Sequence, residues 1–286
     1  MRLLMFMYHR VLPEPHPDAV TCKLFQQQLD YMQNKFHMLT PQEAAAFCRE
    51  GVLPAGVKKN CAALSFDDGW VDNMLYADPI LKERGLSAMM AVSAGYRHNG
   101  EIRTSETPEV LNRDTPATVE ACKNGDLRNF LNENELRYLS GTGRWSLEAH
   151  GTQHCPGAFG KSILCAPQGE TAAEFETMLR GDIMNCRQYL DALTGRKGSI
   201  FFWPYGHYST RAAEIVRECG YDLQFTVKKG VCKPKDPCFV LPRIGVSRWK
   251  KFRKNCIVFN NPLLRTMRGF FSSEQVCFDE FYGENK

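Results

Sequence analysis

The chain has 286 residues, of which 43% are hydrophobic and 24% are charged, a composition typical of globular proteins with a full-sized core. Its formal net charge of +4 lacks the dense basic character of nucleic-acid-binding proteins, so we expect no nucleic-acid partner. No apolar run approaches the roughly 20 residues of a membrane-spanning helix, and the apolar start, interrupted at Tyr8, is too short for an export signal. We therefore predict a cytoplasmic protein without a transmembrane segment.

The first third of the chain alternates between strand and helix patterns. Apolar residues recur at helical spacing in two segments, and compact apolar runs indicate buried strands. In chain order, the sequence predicts a strand over 1–7, helices over 24–36 and 40–49, a strand over 61–66, a helix over 76–84 and a strand over 87–93. This alternation predicts an α/β fold with a parallel sheet.

The composition becomes polar and charged between about residues 95 and 143, which predicts an insertion that borders the site, with one helix over 133–139. The alternation then returns, with strands over 145–149, 199–203 and 223–227 and helices over 172–192 and 210–219. One domain over 1–286, with a basic C-terminal extension over about 247–286, accounts for this organisation.

Two adjacent carboxylates, Asp67 and Asp68, follow the predicted strand over 61–66. Such a pair is repulsive unless a cation or a proton neutralises it, so it suits a metal site. A polar turn explains the residues equally well, because Asp and the following Gly69 are common in turns. The pair alone leaves both interpretations open.

Two histidines, His150 and His154, follow the predicted strand over 145–149. Imidazoles four residues apart can face one centre across a helical turn and bind a divalent ion. Surface or capping histidines are the alternative, since this spacing also arises by chance. One aspartate and two histidines would leave a coordination position for water, as in a catalytic zinc site.

A third segment, 201–206, is an apolar strand that runs into Trp203, Pro204 and Tyr205. Its turn could present a backbone N–H and aromatic ring faces to a sugar. A core strand followed by an ordinary turn is the alternative.

The three segments read Ser-Phe-Asp-Asp-Gly, His-Gly-Thr-Gln-His and Trp-Pro-Tyr-Gly, each at the end of a predicted strand. In this order they resemble the polysaccharide deacetylase family (NodB-homology, carbohydrate esterase family 4). The early segment Tyr8-His9-Arg10-Val11 resembles the branch of the poly-N-acetylglucosamine deacetylases. The resemblance implies a distorted (β/α) barrel of parallel strands alternating with helices, with the site at the carboxyl ends of the strands.

The resemblance also implies a role for each motif residue. Asp68, His150 and His154 match the metal ligands, with Zn²⁺ as the expected divalent ion, and Asp67 matches the general base that takes a proton from the attacking water. The backbone N–H of Tyr205 would stabilise the oxyanion. The implied reaction removes the N-acetyl group from an N-acetylated sugar in a polysaccharide or glycoconjugate precursor and releases acetate.

Two departures from the family concern charged residues. Phe202 stands where many members have an arginine, which the poly-N-acetylglucosamine branch also lacks, and the segment 241–244 lacks the histidine that serves as general acid elsewhere. The sequence therefore identifies no general acid. His9 and Trp203 are further candidates for substrate contact, and Arg243 could contact an anionic group, although each could equally be a structural residue.

Residues 247–268 contain seven Lys and Arg residues, no acid, and interleaved aromatic and aliphatic residues. This bias predicts peripheral contact with an anionic membrane or with a lipid-linked or nucleotide-linked sugar; a solvated basic edge is the alternative. Two other functions stay open for the whole chain. It could hydrolyse a non-sugar amide, because fold does not fix substrate, or bind carbohydrate without catalysis, because the proton-donor histidine is missing.

Overall fold

The computed structural model describes residues 1–154, 162–235, 240–246, 248–269 and 276–279. Its strands are β1 (Leu3–Tyr8), β2 (Arg10–Leu12), β3 (Ala19–Thr21), β4 (His37–Met38), β5 (Cys61–Phe66), β6 (Ala88–Val92), β7 (Trp145–Ala149), β8 (Ile200–Phe202), β9 (Leu223–Phe225), β10 (Val240–Leu241) and β11 (Ile244–Gly245). Its α-helices are α1 (Cys22–Lys35), α2 (Pro41–Glu50), α3 (Asp78–Glu83), α4 (Pro108–Leu111), α5 (Thr115–Lys123), α6 (Glu133–Gly141), α7 (Ala172–Thr194), α8 (Thr210–Glu218), α9 (Trp249–Asn260) and α10 (Pro262–Gly269).

The main sheet is parallel and has the order β10-β9-β8-β7-β6-β5-β1-β11, with β4 also paired to β5. The strands at its two ends, β10 and β11, are separated in the chain by only Pro242 and Arg243. A chain of this length reaches roughly 10 Å, so the two edges of the sheet must lie close together. The sheet is therefore curled into a distorted barrel.

Side chains of the strands alternate between the two faces of the curled sheet, as the period of two in a strand requires. On β5, Cys61 and Ala63 pack in a cluster that also contains inward residues of β1, β6, β8, β9 and β10 and the apolar side of α2. Leu64 and Phe66 pack on the other face, with α1, α7 and α9. Continued beyond the strand, this alternation places Asp67 on the inner face, at the carboxyl edge of the barrel.

The predicted strands over 61–66 and 145–149 agree with β5 and β7 residue for residue, and the long predicted helices agree with α1, α2, α7 and α8 within a few residues. The segment predicted as a polar insertion contains α4 and α5 in addition to the predicted helix, which is α6. No helix in the described part of the chain has the length and hydropathy needed to cross a bilayer. The prediction of one domain stays a prediction.

Helix α9 occupies part of the predicted basic extension. Its apolar residues Phe252, Cys256 and Phe259 are buried against the core, whereas Lys250 and Lys254 lie on the exposed face. Much of the apolar character of this segment therefore serves packing.

Candidate active site

The motif residues meet at the carboxyl edge of the sheet. Asp67 and Asp68 follow β5, His150 follows β7, and His9 follows β1. A cavity of about 650 Å³ opens at this edge. This cavity is lined by six of the residues that the sequence predicts for the site, namely His9, Asp67, Asp68, His150, His154 and Tyr205.

Three predicted ligand atoms converge in this cavity. Asp68 Oδ1 lies 3.3 Å from His150 Nε2 and 3.1 Å from His154 Nε2, and the two imidazole nitrogens are 3.1 Å apart. Two ligands at about 2.0–2.1 Å from one tetrahedral zinc ion are themselves about 3.3 Å apart. The spacing therefore fits a single divalent ion.

The surroundings of the cluster orient its lone pairs. His150 Nδ1 donates to the carbonyl of Phe202 at 2.7 Å, so its Nε2 lone pair faces the cluster, as in many metal-bound histidines. Trp70 Nε1 donates to Asp68 Oδ2 at 2.9 Å, whereas Asp68 Oδ1 is buried, lies against the two imidazole nitrogens and accepts no hydrogen bond from any other described residue. A buried anionic oxygen in this position is what a cation would satisfy.

Burial by itself raises the pKa of Asp68, but His154 and His150 outweigh that effect and hold the pKa well below its usual range. Burial also lowers the pKa of His154, and the nearby Asp68 carboxylate more than reverses this, so the pKa of His154 is raised. The carboxylate is therefore ionised at neutral pH, as a metal ligand must be.

The loop that carries both histidines is held by helix α7. Asp182 accepts from the backbone N–H groups of Thr152 and Gln153, each at 2.8 Å, and its backbone carbonyl accepts from the Thr152 hydroxyl at 2.8 Å. Gly151, which directly follows His150, has φ +78°. A Cβ at this position would lie 3.0 Å from Asp182 Oδ2 and 2.7 Å from Leu164. Glycine is therefore required for this close approach.

Asp67 forms a buried bidentate ion pair with Arg243, which the sequence suggested only as a contact for some anionic group. Its two carboxylate oxygens lie 2.6 and 2.8 Å from Arg243 Nη1 and Nη2, and the guanidinium lies over the ring of Phe202 at 4.8 Å. Burial raises the pKa of Asp67, but Arg243 outweighs it and holds the pKa below its ordinary value. Arg243 thus reaches this carboxylate from the β10–β11 connection.

The other predicted contact residues fall into two groups. His9 is exposed in the cavity, and Tyr205, with φ 57°, places its ring 5.0 Å from the His154 ring. Trp203, in contrast, is fully buried, and its indole donates to Gln224 at 2.9 Å. The prediction that Trp203 offers a stacking face to the sugar is therefore wrong, because this side chain fills the core.

Two features of the cavity were not predicted. Trp70 supplies an indole at the cavity, next to Phe130 with ring centroids 4.9 Å apart. Its position directly after Asp68-Gly69 was the available signal. Helix α5, within the segment predicted as a polar insertion, supplies a further part of the wall.

The sequence model of the polysaccharide deacetylase family matches residues 55–224, more than half of the chain. The chain belongs to the polysaccharide deacetylase family. This membership confirms the predicted class of the protein, a metal-dependent carbohydrate deacetylase, which is a hydrolase.

Among similar proteins, YxkH of Bacillus subtilis (strain 168), whose name places it with the polysaccharide deacetylases, is 21% identical over 250 residues, 86% of this chain and 72% of that protein. The poly-beta-1,6-N-acetyl-D-glucosamine N-deacetylase of Escherichia coli (strain K12) is 29% identical over 96 residues, 34% of this deacetylase but only 12% of that protein.

The solved structure of IcaB from Ammonifex degensii superimposes with a TM-score of 0.72 at 22% identity, covering 91% of this chain and 97% of that one. This likeness confirms the predicted distorted (β/α) barrel.

Proposed function

We propose that the protein is a Zn²⁺-dependent deacetylase that removes the acetyl group from an N-acetylated sugar in a polysaccharide or glycoconjugate precursor. The observation that carries the proposal is the convergence of Asp68 Oδ1, His150 Nε2 and His154 Nε2 within 3.1–3.3 Å of one another. Two imidazoles and one carboxylate form a donor set that zinc commonly takes in hydrolases, with a position left for water or substrate.

The identity of the sugar in this proposal rests on the relatives of the protein. The E. coli relative is named for deacetylation of poly-beta-1,6-N-acetyl-D-glucosamine, and the early motif of this chain resembles the same branch. We therefore propose N-acetylglucosamine units as the substrate.

In this proposal, Asp68, His150 and His154 hold the ion, which when bound supplies Lewis acidity to the acetamide carbonyl and lowers the pKa of the attacking water. Asp67 acts as the general base. Each of its oxygens accepts one hydrogen bond from Arg243 and keeps another lone pair for a water proton. Because its pKa is held below the usual value, Asp67 is ionised at neutral pH, which is the protonation state that a general base requires.

The leaving amine needs a proton, and His9 is the candidate that we propose. Three histidines line the described part of the cavity, and His9 is the one that is not a predicted metal ligand. The backbone N–H of Tyr205 is proposed as the donor to the oxyanion.

The test uses the two adjacent carboxylates as a matched pair. Zinc content is measured by elemental analysis, and acetate release is measured on a panel of N-acetylated sugars and simple amides. Asp68→Asn and His150→Ala should lose both zinc and acetate release. Asp67→Asn should keep stoichiometric zinc while its kcat falls by a factor of about 10² or more, since it removes the base but none of the three predicted ligands.

Each alternative function has its own outcome in this experiment. Acetate or acid release from the simple amides alone would favour the non-sugar amide hydrolase. Sugar binding without acetate release from any N-acetylated sugar would favour an inactive carbohydrate-binding protein. Wild-type protein that holds no zinc would contradict the metal site itself.

The cytoplasmic location and the contact of residues 247–268 with anionic membranes stay predictions. Exposed cations on α9, including Lys250 and Lys254, support the membrane contact, whereas the burial of Phe252 and Phe259 on the same helix argues against an apolar insertion face. Sedimentation with anionic vesicles tests the contact, and the absence of binding would contradict it.

A further inference from the structure

Two side chains from outside the insertion hold the N-terminus of helix α5 through hydrogen bonds. Asp18 Oδ2 accepts from the backbone N–H and the hydroxyl of Thr115 at 2.8 and 2.9 Å. Arg10 donates to the carbonyls of Leu111 and Arg113 at 2.8 and 2.7 Å. These contacts fix the start of α5 against the β1–β3 region, so the helix has a defined position beside the cavity.

One face of α5 lines the cavity that contains the metal-site residues. The residues of this face are spaced by three or four positions, as neighbours on a helix surface must be. They are Thr115, Thr118, Val119, Cys122 and Lys123. Val119 is 45% exposed although it is aliphatic, and the exposed Ala117, two positions after Thr115, is on the opposite side of the helix. The face is thus mostly uncharged, with Lys123 at its end.

Thr118 on this face has an unused polar group. The residue is 3% exposed, and its hydroxyl has no hydrogen-bond partner among the residues that the structure describes. Burying a hydroxyl without a partner is unfavourable, and threonine is a poorer helix former than alanine. Neither packing nor helix stability therefore accounts for a hydroxyl at this position.

We propose that the cavity face of α5 is a substrate-recognition wall, in which the Thr118 hydroxyl hydrogen-bonds a polar group of the bound N-acetylated sugar and Val119 contacts its apolar surface. This inference rests on the proposed function and adds specificity residues to it. It places part of the substrate selectivity in the insertion, away from the three motifs that carry the reaction.

The test compares Thr118→Val with Thr118→Ser and with Ala117→Ser, a control on the opposite side of α5. The probe is a short β-1,6-linked N-acetylglucosamine oligomer. Thr118→Val should raise KM about three- to tenfold, the effect of losing one neutral hydrogen bond, with kcat and zinc content unchanged. Thr118→Ser keeps the hydroxyl and should retain the wild-type KM, as should Ala117→Ser.

A second measurement separates recognition from a structural role. Thr118→Val replaces an unpartnered buried hydroxyl by a methyl group, so the Tm of the free protein should be equal to or above that of wild type. A lowered Tm would indicate a structural hydroxyl and overturn the proposal. Val119→Asp, which puts a charge on the exposed part of the wall, should raise KM without loss of zinc.

The two proposals fail in different ways. Wild-type acetate release with the same KM in Thr118→Val and Ala117→Ser would overturn the role of α5 and leave the proposed function intact. Oligomer binding without acetate release would overturn the proposed function, and the α5 wall would then be judged by the Kd of the same variants in calorimetry. A wild type that neither binds nor hydrolyses the oligomer would overturn both for this sugar.

Discussion

At the scale of single residues, the ion pair between Asp67 and Arg243 combines stability with chemistry. Both side chains are almost fully buried, at 4% and 0% exposure. Removing one partner of a buried pair leaves the other charge without compensation, at a cost of about 3–5 kcal/mol. Arg243→Met should therefore lower the free energy of unfolding, measured by urea denaturation, by about 3–5 kcal/mol.

The matched control for this variant is Arg84→Met. Arg84 pairs with Asp30 at 3.3 Å, and the Asp30 side chain is 66% exposed. Loss of this ion pair should therefore change the free energy of unfolding by about 0–1 kcal/mol. Equal effects of the two variants would contradict the importance of burial. The double variant Arg243→Met, Asp67→Leu should recover part of the lost stability, since it removes both charges.

The same residues indicate how far sequence reasoning reaches. Asp67, Asp68 and His150 each follow an unmistakable buried strand, so their convergence could be predicted. Arg243 could not be assigned to Asp67, because strands β10 and β11 have two residues each and carry no periodicity that would place them. Trp203 was misjudged because its position in a motif does not reveal which side of the strand end it faces.

At the scale of elements, helix α7 positions the histidine loop through Asp182, whose carboxylate holds two backbone N–H groups. Asp182→Asn replaces one acceptor oxygen by a donor, so at least one of these bonds is lost and the ligand loop shifts. Losses of supporting groups around a metal site typically weaken metal affinity by about 10- to 100-fold. We expect a change of this size in the Kd for Zn²⁺, measured by competition with a chromogenic chelator.

Asp191 provides the control on the same helix, because it also accepts a backbone N–H, that of Gly198, at 2.8 Å, but it does not contact the histidine loop. Asp191→Asn should leave the Kd for Zn²⁺ unchanged. A similar loss of affinity in both variants would mean that α7 acts only through general stability.

The turn after α5 contains Asp126, whose ionised carboxylate makes the stability of the protein depend on pH. Asp126 pairs with Arg128 and Arg113, each at 2.8 Å, and these partners, Arg128 foremost, hold the pKa of its carboxyl far below the usual value. A carboxyl with a lowered folded pKa stabilises the protein above its unfolded pKa of about 3.9, and the contribution is lost as the pH falls below that value.

Asp126→Asn should therefore lower the free energy of unfolding by about 1 kcal/mol at pH 7, and its difference from wild type should shrink between pH 4 and pH 2. Urea denaturation at both ends of this range measures the difference. The exposed Asp30→Asn serves as the control and should differ little from wild type at either pH. A difference for Asp126→Asn that grows in acid would contradict the sign.

Helix α5 also marks a limit of prediction at this scale. Its threonines at positions 115 and 118 and its charged ends break the apolar spacing that identifies a helix, so the sequence indicated only a polar insertion. What defines α5 is tertiary: Arg10 and Asp18 hold its start from a distant part of the chain.

At the scale of the whole molecule, the predicted metal site joins the carboxyl ends of β5 and β7, which lie on either side of β6 in one continuous sheet. An ion bound there stabilises the folded barrel as a unit, because the unfolded chain does not hold its three ligands together. At a free Zn²⁺ concentration of 100 times Kd, the gain is about 2.7 kcal/mol, which corresponds to a rise in Tm of roughly 5 °C for a chain of this size. Thermal unfolding of chelator-treated protein with and without added Zn²⁺ measures this rise. His150→Ala should abolish it, whereas His16→Ala, a histidine outside the cavity, should retain it. An equal rise in both variants would place the binding elsewhere on the chain, for example on its cysteines, and would contradict the site at the sheet edge.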